Sequence, residues 1–218
     1  FKIDTFTSFY YLLNNLICIC LIGCIPYITS NICAICIYQG LLGLYLWCIF
    51  VIGHDCGHGT FSNNSIINEC IGEFCHSFLC LVPYNQWKRS HHLHHLYHNH
   101  LNKDYSHFWL IEEKKNIILK DISSNFFYNF RYIGVFFSWP IYLYLGIPDG
   151  GHLILYGKLW KDATLKQLLR GYISSLITCI SFYSAITLFG LKAFIIYYGI
   201  PWIWFSSWLF TVTYLQHH

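Results

Sequence analysis

Four stretches of the chain stay apolar for about twenty residues at a time, the length at which a helix rising 1.5 Å per residue crosses a hydrocarbon core of roughly 30 Å. They cover about 8–28, 32–53, 172–189 and 194–215. Asn14 and Asn15 interrupt the first, and Gln39 is the strongly polar member of the second. The first two are joined by Thr29-Ser30-Asn31 and the last two by Gly190-Leu191-Lys192, connections so short that each pair is expected to form an antiparallel hairpin. Two weaker stretches read differently. The segment 65–84 carries Asn68, Glu69, Glu73 and His76, and 126–147 carries Asn129, Arg131 and a central Trp139-Pro140. Charges at the centre of a span cost about 2.5–3.5 kcal/mol each, so both are expected to lie in the membrane interface instead of crossing it. The pattern predicts an all-α integral membrane protein forming one domain over 1–218: four transmembrane helices in two hairpins, with interfacial helices and a histidine-rich cap.

Composition agrees with that reading. Hydrophobic residues make up 56% of the 218 positions and charged ones 11%, a balance unlike that of a water-soluble globule. Of the thirteen Lys and Arg residues only Lys192 falls on the side of the two hairpin turns. The excess of basic residues on the opposite side marks that side as cytoplasmic, and the histidine-rich cap with it. No basic run with interleaved aromatics argues for nucleic acid. Most of the eleven cysteines, Cys18, Cys20, Cys24, Cys33, Cys36, Cys48 and Cys179 among them, sit in apolar runs as small hydrophobes, the Cys33-Ala34-Ile35-Cys36 spacing included, so a thiolate metal site is not expected. Cys56 is read as a small residue that permits close helix packing. Methionine is absent, the initiator included, so Phe1 is expected to be an internal position of a longer protein.

The candidate chemistry lies between His54 and His107, where most of the histidines fall. His54-Asp55-Cys56-Gly57-His58 places two imidazoles one helical turn apart on one face. His91-His92-Leu93-His94-His95 places His94 at i+3 and His95 at i+4 from His91, so three rings can converge while His92 and Leu93 point elsewhere. Five imidazoles in two groups exceed what one tetrahedral zinc uses. For His76, His92, His98, His100, His107 and His152 a surface or supporting role is the better reading than ligation.

These motifs, together with Gly59-Thr60-Phe61-Ser62, Trp87-Lys88-Arg89-Ser90, Trp139-Pro140-Ile141-Tyr142-Leu143 and Thr213-Tyr214-Leu215-Gln216-His217, resemble the membrane fatty acid desaturases. The likeness is to the methyl-end group that makes omega-6 and omega-3 double bonds, and it covers nearly the whole chain. It implies a di-iron centre held by His54, His58, His91, His94, His95 and His217, with a third HxxHH box that residues 1–218 do not contain. They are therefore read as an incomplete part of the domain, inactive alone. Asp55 and Asp104 are expected to orient ligating rings through their second N–H. The resemblance further implies dioxygen as co-substrate, a fatty acyl lipid or acyl-CoA as substrate, cytochrome b5 or a ferredoxin as electron donor, and residence in the endoplasmic reticulum membrane. A sister hydroxylase or acetylenase shares every one of these features. A zinc hydrolase needs a base beside its ligands, where this chain has Asp-Cys-Gly. A metal transporter places histidines within its spans, whereas these lie outside them.

Overall fold

The computed structural model describes residues 2–98, 100, 103–105, 140–146 and 150–217, the side chains of Tyr214, Gln216 and His217 excepted. Every regular element among the described residues is helical: α1 (Thr5–Gly23), α2 (Ile25–Ile28), α3 (Ile32–His58), α4 (Ser65–Glu73), α5 (Tyr84–Leu96), α6 (Leu165–Phe189), α7 (Leu191–Phe194) and α8 (Ile200–His217). Wider π-helical turns, Phe74–Leu79 and Ile195–Gly199, follow α4 and α7. Among the described residues, four helical stretches are long and apolar enough to cross a membrane: Thr5–Ile28, Ile32–His58, Leu165–Phe189 and Leu191–Thr213. The segment expected to be interfacial at 65–84 forms α4 and its π-helical turn. Most of the one at 126–147 lies outside the described residues, apart from a helical stretch over 140–145. The described chain divides into two compact units, Phe1–Tyr84 with Leu176–His218, and Asn85–Ser175.

The helix boundaries have local causes. Asp4 caps α1 by accepting from the backbone N–H groups of Phe6 and Thr7, and Asn31 caps α3 by accepting from those of Cys33 and Ala34. Thr164 and Gln167 form a reciprocal capping box, with Thr164 N–H donating to Gln167 Oε1 at 2.9 Å and Gln167 N–H to Thr164 Oγ1 at 3.3 Å. It starts α6 at Leu165, ahead of the apolar stretch that begins near Tyr172. From Tyr172 onward α6 exposes Tyr172, Ile173, Leu176, Ile180, Phe182 and Tyr183, large apolar side chains of the kind that face lipid.

In the first unit α3 is the centre. Its buried positions, Ile35, Tyr38, Gln39, Leu42, Leu46, Ile49, Phe50, Ile52 and Cys56, recur at steps of three and four and so form one face. Gly43 lies on that face against α8. A Cβ there would come within 2.4 Å of the Trp204 Cβ and 2.7 Å of the Pro201 carbonyl. Small residues allow such close approach between membrane helices. Gly43→Val is therefore expected to destabilise the detergent-solubilised protein by roughly 1–3 kcal/mol, as overpacking does. Gly40→Val supplies the comparison, because no atom lies within 4 Å of where a Cβ would stand. A thermal unfolding series in which the two variants melted alike would remove this account of the contact.

Pro201 explains the polar contacts beside it. Ile200 N–H bonds to the Ile195 carbonyl in the π-helical register, and the next donor along the chain is proline, which has none. The Ile196 and Tyr197 carbonyls are supplied from α3 instead, by Gln39 Nε2 at 2.9 Å and the Tyr38 hydroxyl at 2.7 Å. The lone strongly polar residue of the second apolar stretch thus has a structural use. On the other side, Tyr198 donates to the Leu79 carbonyl at 2.6 Å and Trp202 Nε1 to the Cys80 carbonyl at 2.7 Å, fastening the last helix to the turn that follows α4.

Candidate metal centre

The first histidine pair sits in the final turn of α3. Gly59 ends that helix directly after His58 in a left-handed conformation, φ 72°, and the Gly59 and Thr60 N–H groups close on the Cys56 and Asp55 carbonyls at 3.0 Å each. His54 Nε2 and His58 Nε2 are 3.2 Å apart. His54 Nδ1 lies 3.1 Å from Asp55 Oδ1. Because a carboxylate only accepts, Nδ1 carries the proton and Nε2 keeps its lone pair. Cys56 is buried on the inner face of α3, where a small side chain fits.

Beneath this pair lies His76, which is fully buried. Its Nε2 donates to the Phe50 carbonyl at 2.9 Å, one turn before His54, and its ring stacks on that of Phe50 with centroids 3.9 Å apart. A Cβ at Gly53 would strike the His76 ring at 2.2 Å, so the glycine and the imidazole occupy one space. Burial pushes His76 down to about 3, which keeps it uncharged at physiological pH.

The second group belongs to the other unit and is carried on α5. His91 Nε2 and His95 Nε2 are 3.0 Å apart, and the His91 ring stacks on Trp87 at 4.5 Å. His94 is placed differently. Its ring centroid stands 6.1 Å from that of His91 and 5.7 Å from that of His95. Its Nδ1 lies 2.9 and 3.0 Å from the two carboxylate oxygens of Asp104, and both side chains are almost wholly buried, at 3% and 2% exposure. Here too the protonated nitrogen is Nδ1, and the lone pair of the neutral ring is on Nε2. His92 is exposed. His98 packs edge-on against His94 at 5.0 Å. His217 is the last residue of α8, but its side chain, like the whole of His107, lies outside the described residues.

The donor set fits a metal. Two nitrogens bound at right angles to one ion, each at about 2.1 Å, would stand about 3.0 Å apart, and a tetrahedral angle would widen this to about 3.4 Å. The spacings within the two pairs, 3.2 and 3.0 Å, fall in that interval. Imidazole suits iron, copper, zinc and nickel, whereas carboxylate-rich sites suit magnesium or calcium. Both acidic residues singled out, Asp55 and Asp104, stand behind a ring with their oxygens on Nδ1, which fixes the tautomer that ligation requires.

Sequence spacing did not find the supports of the second group. His152 is buried, with Nδ1 3.1 Å from the Leu143 carbonyl and Nε2 2.8 Å from Ser90 Oγ. Arg89 reaches the Leu159 carbonyl and lies over the Trp160 ring, 5.4 Å from its centroid.

Residues 32–218 match the model of the fatty acid desaturase family. An omega-3 fatty acid desaturase of the endoplasmic reticulum from Vigna radiata var. radiata is 37% identical over 189 residues, 84% of this chain and 47% of that protein. A delta(12) fatty acid desaturase of Caenorhabditis elegans is 32% identical over 227 residues, 98% of this chain and 57% of that protein. An Arabidopsis thaliana protein named as an acyl-lipid omega-3 desaturase (cytochrome b5) of the endoplasmic reticulum is 34% identical over 184 residues, 84% of this chain and 47% of that protein. The chain spans about half the length of these curated relatives. With the family model covering most of its residues, and the paired histidines standing on two helices within that match, the chain belongs to the fatty acid desaturase family.

Proposed function

We propose that the whole protein is a membrane oxidoreductase that introduces a double bond into the methyl-end half of a fatty acyl chain, as an omega-6 or omega-3 desaturase of the endoplasmic reticulum. The observation that carries this reading is the arrangement of paired imidazole nitrogens, backed by carboxylates, inside a chain of this family. Two irons are the metals, held by His54, His58, His91, His94, His95 and His217 together with a third box contributed by residues outside 1–218. Such a metal pair supplies, when bound, the reductive chemistry that lets dioxygen oxidise an unactivated methylene pair.

The electron balance defines the partners. Reducing dioxygen to two waters takes four electrons and four protons. Removing two hydrogens from the acyl chain provides two of each, so a donor must deliver two electrons and solvent two protons. That donor is cytochrome b5 or a ferredoxin, since one relative carries the first in its name and another the second. A basic cytoplasmic face would steer an acidic donor to the protein. The substrate is an acyl lipid or acyl-CoA, reached from the bilayer in which the four apolar helices lie.

The chain's own groups act by placement. Asp104 holds the His94 proton on Nδ1, Asp55 does the same for His54, and Gly59 stops α3 so that His58 occupies its last turn. The test is expression of the full-length gene in yeast, with gas chromatography of the fatty acids and iron measured in the purified protein. A new methyl-end double bond with two irons per chain is the expected result. A hydroxylated or acetylenic product would assign the sister activity, and zinc in place of iron would remove the reading.

A further inference from the structure

We propose that His152 is a positioning residue of the metal centre, acting through Ser90 on the histidine helix and through Tyr105 on the carboxylate that orients His94. This rests on the reading of the histidines as iron ligands. It concerns a group none of whose nitrogens faces them: Nδ1 meets the Leu143 carbonyl and Nε2 meets Ser90 Oγ. A carbonyl only accepts, so Nδ1 carries a proton and a neutral ring presents Nε2 as an acceptor. Ser90 Oγ stands 2.8 Å from that nitrogen and 2.9 Å from the Trp87 carbonyl, and its single proton is divided between them. The Tyr142 hydroxyl approaches the same oxygen at 3.3 Å. Ser90 immediately precedes His91, so a bond made there sets the rotation of α5 at the first ligand.

The second path runs through the residue before His152. Gly151 donates its N–H to the Tyr105 hydroxyl at 3.2 Å and accepts at its carbonyl from Trp160 Nε1 at 2.7 Å. Tyr105 adjoins Asp104, whose carboxylate holds His94. The packing here is tight. A Cβ at Gly151 would meet the Tyr105 hydroxyl at 2.6 Å, and one at Gly146 would meet the His152 ring at 2.6 Å. Ser90, Tyr142, Leu143, Tyr105 and His152 are all buried. A buried ring bonded at both nitrogens to elements distant in sequence fixes their mutual position. α5 carries the histidines that follow Ser90, and Gly151, next to His152, holds Tyr105, the neighbour of Asp104, so the effect should appear in metal binding.

The experiment uses the full-length protein in detergent, loaded anaerobically with ferrous iron, and measures iron affinity alongside the melting temperature. His152→Phe keeps the volume and loses both bonds. His152→Gln reaches Ser90 as Nε2 does, and His152→Asn reaches only the Leu143 carbonyl. The expected result is a loss of iron affinity of roughly 10–100-fold in His152→Phe, the range seen when groups that orient ligands are removed, with recovery in His152→Gln and little in His152→Asn. Ser90→Ala approaches the same bond from the other side and should lose iron in the same way, which decides the matter if His152→Phe fails to fold. Leu159→Ala, which opens a cavity in the same loop, should lower the melting temperature and leave iron affinity within about twofold. The proposal is overturned if the three His152 variants bind iron equally, if folded Ser90→Ala binds like the wild type, or if Leu159→Ala loses as much iron as His152→Phe. A wild-type protein that binds no iron overturns the di-iron reading along with it, whereas an iron-replete wild type with iron-replete variants overturns this proposal alone.

Discussion

Alanine at His54, His58, His91, His94 or His95 in the full-length protein is expected to abolish the desaturated product while leaving membrane insertion intact. Each change removes one imidazole from a pair whose nitrogens stand 3.0–3.2 Å apart, or, at His94, removes the ring bonded to both oxygens of a buried carboxylate. A metal site short of one ligand binds weakly and in the wrong geometry, so the loss should be complete by gas chromatography. His94→Ala should also lower stability, because Asp104 is left buried without the ring that compensates it. His92→Ala should retain product, because the side chain is exposed and a surface substitution there costs no more than about 0.5 kcal/mol. Equal damage from His92→Ala and His91→Ala would mean that the face assigned to the ligands is wrong.

The second expectation is an all-or-none labelling pattern. With both hairpin turns in the lumen, cysteines placed at Ser30 and Lys192 in a cysteine-free background should be shielded from a membrane-impermeant thiol reagent in sealed microsomes, and ones at His92 and Lys161 should react. All four positions are exposed, so shielding would report the bilayer and not the fold. The physical ground is the proposed ligand set: if His54, His91 and His217 are to serve one metal centre they must lie on one face, which demands an even number of crossings between them. Labelling at His92 without labelling at Lys161 would reveal an odd crossing between those positions. His217 would then lie across the bilayer from the other histidines and would lose its place as a ligand.

Local periodicity was the legible part of the molecule. Four apolar stretches of membrane-spanning length could be recognised because hydropathy needs no partner, and the His54–His58 and His91–His95 pairs because four residues make about one helical turn. Spacing alone treats His91, His94 and His95 alike. What separates them is Asp104, ten residues after His94 and outside α5, which turns that ring to a different task. His76 and His152 were harder still. Their partners, Phe50 and Ser90, lie far along the chain, and a histidine that braces a helix looks in sequence like one that lies on the surface. The wide turns at Phe74–Leu79 and Ile195–Gly199 follow no compositional pattern, although Pro201 in hindsight marks the second.

Pro201 also bears on how such a chain is assembled in the bilayer. As long as the stretch Leu191–Thr213 stands alone in lipid, the Ile196 and Tyr197 carbonyls of its π-helical turn lack the Gln39 and Tyr38 donors that serve them in the folded unit. Unsatisfied backbone groups at that depth cost several kcal/mol each. The isolated last helix is accordingly a poorer guest for the membrane than its hydropathy suggests, and it becomes a good one only on meeting α3. Docking against α3 thereby offsets part of the cost of placing the last apolar stretch in lipid.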